Sequence, residues 1–257
     1  TFLYHKAGTV NIDETSSVNI EKATKLVEGA ELNIASKNVI AKGAVTGNGT
    51  INLTDLEAKF TAQEGLTVYN GVEGNTDYGV TYVNGAYQFA QYVAQIGEAK
   101  YLTLQEAIDA AQDGETILLL QNVTLTETLT IEKSITIDGN GFEILPADDS
   151  KTYNSAIMVG NSGWGDDHGE VITLNNIEFN NWKTNYGVVR AQGVTLNMTA
   201  CEFNGNEVSN VAYGVLSLNF TDATVTNSIF KQNQDRAIDI NYNVGDNSTT
   251  NAEVTIV

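Results

Sequence analysis

Short runs in which apolar and polar residues alternate fill much of the chain after residue 115. The alternating apolar positions are Ile117 and Leu119, Val123 and Leu125, Leu129 and Ile131, and Ile135 and Ile137. A period of two is the pattern of a β-strand that buries one of its faces. A turn sequence, DGNG at 138–141, follows these runs. The pattern predicts many short strands joined by tight turns.

Three phenylalanines mark a longer repeat in the C-terminal half. Phe179, Phe203 and Phe230 each end an apolar strand signal, at intervals of 24 and 27 residues. Each is followed by a polar loop and a second apolar run, at 186–189, 213–216 and 236–239, and we expect these runs to lie in register. A repeat of this length cannot bury its apolar face alone and must stack on its neighbours. The spacing therefore predicts a solenoid of stacked β-coils.

One helix is predicted, at about 103–112. Thr103 and Glu106 have the spacing of a capping box, in which each side chain satisfies a free amide at the helix start. Leu104, Ala107, Ile108 and Ala111 then form one apolar stripe, and Gly114 is suited to a left-handed stop. Because the terminal coil of a solenoid needs a cover, we interpret this helix as an N-terminal cap.

The first hundred residues show a weaker form of the same pattern. An Asn between two apolar residues recurs at Asn11, Asn19, Asn33 and Asn52, at irregular intervals. Asn84-Gly85 indicates a hairpin turn near the end of this part. We interpret residues 1–97 as a β-rich module, the end of a preceding β-solenoid, and 98–257 as a second solenoid. Residues 252–257 alternate like the entry to another coil without a cap, so we expect the natural polypeptide to continue.

Charge and composition exclude several partners. The chain has 32 acidic and 13 basic residues, a formal charge of −19, which disfavours nucleic acid and anionic lipid. The longest aliphatic run, 117–120, is far too short to insert into a membrane. The one cysteine, Cys201, cannot form an intrachain disulfide and is expected to pack as a small apolar residue. The acidity suits Ca²⁺, a cationic partner or solubility alone.

Four segments carry a resemblance to a known family. They are VAQIG at 93–97, YLTL at 101–104, DGET at 113–116 and IDGNG at 137–141. Together with the helix, they resemble the opening of right-handed parallel β-helix modules of the pectin-lyase-like class, which occur in large bacterial cell-surface and adhesin-like proteins. The resemblance implies an all-β, right-handed parallel β-helix, an extracellular or cell-surface location, and further modules in the same polypeptide.

The resemblance also raises the alternative of a polysaccharide-acting enzyme. Lyases of that family hold Ca²⁺ with carboxylates and use an Arg or Lys as base. The cluster nearest to this need is Asp235, Arg236 and Asp239, which could equally be a surface ion pair or a ligand-binding group. Arg190 is expected opposite Ser217 and Arg236 opposite Tyr213, so the two arginines would not converge. No catalytic residue is assigned.

The loop at 161–170 is a second candidate site. Asp166, Asp167 and Glu170 could bind Ca²⁺ or another metal, or could belong to a solvated loop. The order Asp166-Asp167-His168-Gly169 departs from the polygalacturonase pattern, in which an Asp pair is separate from a Gly-His-Gly element. This departure argues against glycosidase chemistry.

Aromatic residues supply candidate sugar-binding positions. Trp164, Trp182 and Tyr186 could stack on sugar rings if they share a face, whereas the alternative is packing beneath loops. We also expect Asn176 or Asn227, three residues before a repeat phenylalanine, to join an internal side-chain ladder. The sequence favours a non-enzymatic surface segment that binds glycan or a host or neighbouring surface protein, or that serves as a stalk.

Overall fold

The protein is nearly all β, as predicted. The computed structural model describes residues 4–5, 8–160, 169–241 and 254–257. Strands make up 50% and helix 3% of the structure, which forms a parallel β-solenoid. The chain divides into two compact units, Thr1–Tyr92 and Val93–Val257. We call them the N-terminal unit and the C-terminal unit.

The N-terminal unit is built from three sheets of short strands, and most of these strands pair in parallel. Its strands are β1 (Tyr4–His5), β2 (Gly8–Ile12), β3 (Ser17–Ile20), β4 (Thr24–Leu26), β5 (Ala30–Ile34), β6 (Asn38–Ala41), β7 (Val45–Gly47), β8 (Thr50–Leu53), β9 (Lys59–Thr61), β10 (Val68–Asn70), β11 (Tyr78–Val83) and β12 (Ala86–Gln91). Parallel pairing of β2, β5 and β8 brings Asn11, Asn33 and Asn52 into one row. Their side-chain amides donate from one coil to the previous one over 3.0 and 2.8 Å.

An antiparallel hairpin ends the sheet of this unit that contains β3, β6 and β9. Strands β11 and β12 pair with each other, and β12 pairs antiparallel with β9. The turn residues Asn84 and Gly85 both have positive φ, at 49° and 81°, which suits a two-residue hairpin turn. The hairpin turn predicted at Asn84-Gly85 is confirmed.

The C-terminal unit contains one described helix and three long parallel sheets. The helix α1 spans Leu104–Ala110. The strands are β13 (Ala94–Ile96), β14 (Ala99–Tyr101), β15 (Thr116–Leu119), β16 (Val123–Leu125), β17 (Leu129–Ile131), β18 (Thr136–Asp138), β19 (Glu143–Pro146), β20 (Ile157–Val159), β21 (Val171–Asn175), β22 (Glu178–Asn180), β23 (Lys183–Thr184), β24 (Val189–Gln192), β25 (Thr195–Thr199), β26 (Glu202–Asn204), β27 (Glu207–Val208), β28 (Leu216–Asn219), β29 (Asp222–Thr226), β30 (Ile229–Lys231), β31 (Ile238–Asn241) and β32 (Val254–Ile256).

Side chains of one type stack along the core of this unit. The predicted phenylalanine repeat is confirmed, because β22, β26 and β30 pair in parallel with Phe179, Phe203 and Phe230 in register. Successive ring centroids lie 4.9 and 4.8 Å apart, which is the spacing of neighbouring strands. The alternating aliphatic positions of 117–137 are also buried, as the period of two predicts.

The helix covers core residues of the first coil, close to its predicted bounds. Thr103 and Glu106 form the predicted capping box, and Leu104, Ala107 and Ile108 join the core. The helix ends at Ala110 rather than near residue 112. Lys133 supplies the C-terminal cap that the sequence did not reveal, because its Nζ donates to the carbonyl oxygens of Ile108, Asp109 and Ala111.

An antiparallel hairpin covers the edge of the longest sheet. Strands β13 and β14 pair with each other, and β13 pairs antiparallel with β15, the first of the parallel strands.

The described helix has seven residues, whereas crossing a bilayer takes about 20 helical residues.

The predicted asparagine ladder at Asn176 and Asn227 is wrong. Both residues are exposed and take left-handed backbone, with φ of 51° and 50°. Ala200 holds the same turn position at φ 54°. Asn176 and Asn227 lie at corners between two sheets where the backbone is left-handed, a conformation that Asn tolerates. Their side-chain amides do not form an internal ladder.

The predicted register of the last apolar run is also wrong by one residue. Ile238 pairs with Leu216, whereas the alignment of 236–239 with 213–216 placed it opposite Val215. The pairing of Arg190 with Ser217 is as predicted. Loops of different length precede the runs, so the phenylalanine spacing does not fix the register of the strands that follow.

Candidate functional site

Trp182 is a structural residue and is not available to a ligand. Its side chain is fully buried, at 0% exposure, and meets the Tyr153 ring edge-on at 5.0 Å between centroids. Its indole Nε1 donates to the carbonyl oxygen of Ile144 over 2.8 Å. The prediction of Trp182 as a sugar-stacking residue is therefore wrong, and the alternative of packing beneath the surface is correct.

The position of Trp182 belongs to an internal ladder. Asn206 Nδ2 donates to the Phe179 carbonyl oxygen at 3.0 Å, and Asn233 Nδ2 donates to that of Phe203 at 3.1 Å. Ile144, Phe179 and Phe203 lie in register, so Trp182 makes the same kind of bond one coil earlier. The sequence signal is a polar or N–H-bearing side chain three residues after each phenylalanine, at 182, 206 and 233.

Tyr186 lies in a cluster that the sequence indicated only in part. Pairing of β24 with β28 sets Val189 opposite Leu216, which brings Tyr186 and Tyr213 together just before these strands. Their rings meet edge to face with centroids 5.3 Å apart. The Arg190 guanidinium carbon lies 5.3 Å from the Tyr186 centroid and 5.9 Å from that of Tyr213. We call Tyr186, Arg190 and Tyr213 the tyrosine–arginine face.

Glycines allow the two coils to approach at this face. Gly187 has φ of 101°, a conformation that side chains rarely adopt. A Cβ there would lie 2.7 Å from the Gly214 carbonyl oxygen. The backbones of the two coils are therefore tightly packed beside the two tyrosines.

Arg190 is held by the tyrosines without an acidic partner among the described residues. Its Nη2 donates to Gln192 Oε1 at 3.1 Å. Its Nε is buried and has no hydrogen-bond partner. All three side chains of the face are half-buried, so aromatic carbon and a guanidinium edge reach the surface together. The two ring contacts restrict the orientation of the guanidinium.

The predicted cluster of Asp235, Arg236 and Asp239 forms mainly internal contacts. Arg236 Nη1 lies 3.3 Å from Asp239 Oδ1, with the arginine side chain 55% exposed and the aspartate 10% exposed. Asp239 Oδ2 also accepts from Asn241 Nδ2, and Asp235 Oδ1 accepts from the backbone N–H of Arg236 at 2.9 Å. The ion-pair alternative describes these contacts best.

The ion pair and Arg190 share one row of side chains. Arg190, Ser217 and Asp239 lie in register on β24, β28 and β31 and alternate with core-facing residues such as Ala191. Neighbouring strands lie about 4.8 Å apart, so Arg190 and Asp239 are separated by two strand spacings. Arg236 precedes β31 and is already paired, so its guanidinium does not join that of Arg190.

Most of the predicted metal loop lies outside the described residues. Trp164, Asp166 and Asp167 belong to that part. Glu170 is half-buried, and its Oε2 is buried without a hydrogen-bond partner. Among the described residues, no group of three or more His, Cys, Asp or Glu side chains is placed to hold a metal ion.

The Cys201 thiol is buried in the core of the C-terminal unit. Its Sγ lies 3.4 Å from the Leu174 carbonyl oxygen, and burial raises the pKa of the thiol to about 11. Such a thiol is neutral at physiological pH and is a poor nucleophile. Cys201 is a core residue, as the sequence predicted.

Comparisons with protein-family models, with curated proteins and with solved structures found no match to this chain.

Proposed function

We propose that the chain is a non-enzymatic segment of an extracellular, adhesin-like bacterial surface protein that binds glycan through the tyrosine–arginine face. The observation that carries this proposal is the pair of half-buried tyrosines from successive coils, with Arg190 packed against both rings. The resemblance of residues 93–145 to modules of pectin-lyase-like surface proteins supports the location.

The chemistry of the face suits a sugar ring. Tyrosine offers apolar area for the C–H surface of a sugar and a hydroxyl for hydrogen bonds. The guanidinium adds several planar donors, and its restriction by two rings lowers the entropic cost of binding. A fixed, mixed apolar and polar surface of this kind distinguishes a binding face from a plain stalk.

The overall charge favours a neutral glycan over a polyanion. A formal charge of −19 repels acidic polysaccharides at long range. Cleavage of an acidic sugar would also need a base and a cation that converge on the substrate. Arg236 is engaged by Asp239 instead, and this contact supports a binding role over a lyase role.

A glycan array probed with the whole 257-residue chain tests the proposal. The best neutral oligosaccharide is then titrated by calorimetry against the chain and against the Tyr213→Ala and Arg190→Gln variants. We expect each variant to bind about 5-fold more weakly, because each contact of this kind contributes about 1 kcal/mol. Tyr69→Ala is the matched control, since Tyr69 is 52% exposed and lies in the N-terminal unit. Absence of glycan binding, or equal affinity of Tyr213→Ala, would refute the proposal, and product formation from the sugar would favour the enzyme alternative.

A further inference from the structure

Three glutamates form a row on the parallel sheet that contains β16, β19, β22, β26 and β30. Glu143, Glu178 and Glu202 lie in register on β19, β22 and β26, on the face opposite the phenylalanine stack. Parallel neighbours of this kind are about 4.8 Å apart. Like charges directly opposite each other destabilise a sheet, so the row needs compensation. We call these three residues the glutamate row.

The two ends of the row are compensated by neighbouring side chains. Lys231 Nζ forms a salt bridge to Glu202 Oε1. At the other end, Glu143 accepts from Asn180 Nδ2 at 2.6 Å and from Asn122 Nδ2 at 3.2 Å. Glu178, in the middle, has only a 3.4 Å contact from Asn180 Nδ2. No cationic side chain of the described residues pairs with it.

Two amide oxygens beside the row are buried without partners. Asn180 and Asn204 lie in register and follow Glu178 and Glu202 by two residues, on the same face. The Oδ1 atoms of both asparagines are buried and accept no hydrogen bond. Asn180 is only 8% exposed, and its Nδ2 donates to Glu143 and to Glu178, so this side chain lies within the row. A buried carbonyl oxygen without a donor is unfavourable unless a cation or a water satisfies it.

We propose that the middle of the glutamate row binds a divalent cation of the Ca²⁺ class. Glu178, Asn180, Glu202 and Asn204 form a square of oxygen-bearing side chains on two adjacent strands. Lys231 pairs with Glu202 from the position in register with Asn204. The ion lies one coil earlier, beside Glu178, at the position that corresponds to the Lys231 ammonium beside Glu202.

The donors determine the kind of ion. All of them are oxygens, which suits Ca²⁺ rather than a transition metal that prefers nitrogen or sulfur. Mg²⁺ demands a stricter octahedron and releases its water reluctantly. Because the described residues place no group of three acids around one ion, water completes the coordination and binding is expected at about 0.1–1 mM.

Calcium titration of the whole chain, without glycan, tests this site apart from the proposed sugar site. The melting temperature is measured with 10 mM CaCl₂, with 10 mM MgCl₂ and with NaCl at the same ionic strength, and the calcium dissociation constant is measured by calorimetry. We expect CaCl₂ to raise the melting temperature by about 3–10 °C relative to NaCl, and MgCl₂ to raise it less.

Two variants and two controls locate the ion. Glu178→Gln should weaken calcium binding at least about 10-fold, because it removes the unpaired carboxylate. Asn204→Lys should raise the melting temperature without calcium and remove the calcium response, because it places an ammonium where Lys231 has one. The exposed Glu127 gives the charge-matched control Glu127→Gln, which should respond as the parent chain does. The double variant Asp166→Asn, Asp167→Asn should also keep the response.

The outcomes that overturn the site are specific. A chain that shows no calcium response refutes it. A Glu178→Gln variant that keeps the full response also refutes it, since the ion then lies elsewhere. Loss of the response in the Asp166→Asn, Asp167→Asn variant would assign the ion to the loop at 161–170 instead of the glutamate row.

Discussion

At the scale of single residues, Trp182 occupies a place that Asn206 and Asn233 occupy in the next two coils. All three donate from a side-chain nitrogen to a carbonyl oxygen of the previous coil. The indole adds buried apolar area to that hydrogen bond. Asn206 is also fully buried, and its Oδ1 accepts from the backbone N–H of Trp182 at 2.9 Å. The stability of these coils therefore depends on the ladder as well as on the phenylalanine stack.

Replacement of Trp182 should separate these two contributions. Trp182→Phe keeps an aromatic ring but leaves the Ile144 carbonyl oxygen without its donor, and should cost about 1–3 kcal/mol. Trp182→Ala also leaves a cavity and should cost about 3–5 kcal/mol. The free energies come from urea unfolding followed by circular dichroism, with Tyr69→Phe as control. Equal, small losses for both variants would contradict a buried ladder position.

The buried thiol of Cys201 should make stability fall at alkaline pH. Burial raises its pKa to about 11 in the folded chain, from 9.0. Between these values the unfolded thiol loses its proton and the folded thiol keeps it, so the free energy of unfolding decreases as pH rises, by up to about 1.4 kcal/mol per pH unit. Other groups titrate in the same range, so the difference between the parent chain and Cys201→Ala is the quantity to measure. Parallel pH profiles for the two proteins would contradict this assignment.

At the scale of elements, helix α1 depends on local contacts that can be removed one at a time. Thr103→Ala removes a cap that accepts from the Glu106 backbone N–H at 3.1 Å. The C-terminal unit should lose about 1 kcal/mol of unfolding free energy. Thr126→Ala, at an exposed residue outside the strands, is the control and should change little. A Thr103→Ala variant as stable as the control would show that packing alone holds the helix.

The helix and the strands were predictable where the sequence pattern that indicates them lies within a few neighbouring residues. The capping box, the apolar alternation of 117–137 and the phenylalanine spacing each depend on a few neighbouring residues, and each predicted the correct structure. The register of 236–239 was not predictable in this way. It depends on how many residues each loop takes up between coils, and apolar spacing does not record that number.

The candidate site was predictable only in part, for a related reason. Trp182 and Tyr186 are both aromatic residues in polar surroundings, yet one is fully buried and the other half-exposed. The difference comes from the coil before each residue, where Ile144 offers a carbonyl oxygen to Trp182. Tyr213 lies beside Tyr186 because β24 pairs with β28. The sequence alone did not indicate Tyr213 as a site residue.

At the scale of the whole molecule, both units use the same construction. Each stacks short parallel strands around its own apolar core, and each contains an antiparallel hairpin that pairs with a strand of a parallel sheet. Hairpins in these places pair with the backbone N–H and C=O groups of edge strands, which could otherwise pair with other chains. Repetition of coils also places equivalent side chains in rows. The two proposed binding sites, the tyrosine–arginine face and the glutamate row, both consist of such side chains from successive coils.

A crystal structure of the chain with the best neutral oligosaccharide from the array tests the glycan-binding proposal most directly. We expect a sugar ring packed against Tyr186 or Tyr213, with a hydroxyl within hydrogen-bond distance of the Arg190 guanidinium. A sugar bound elsewhere, or a tyrosine–arginine face left empty while the glycan occupies another surface, would contradict it.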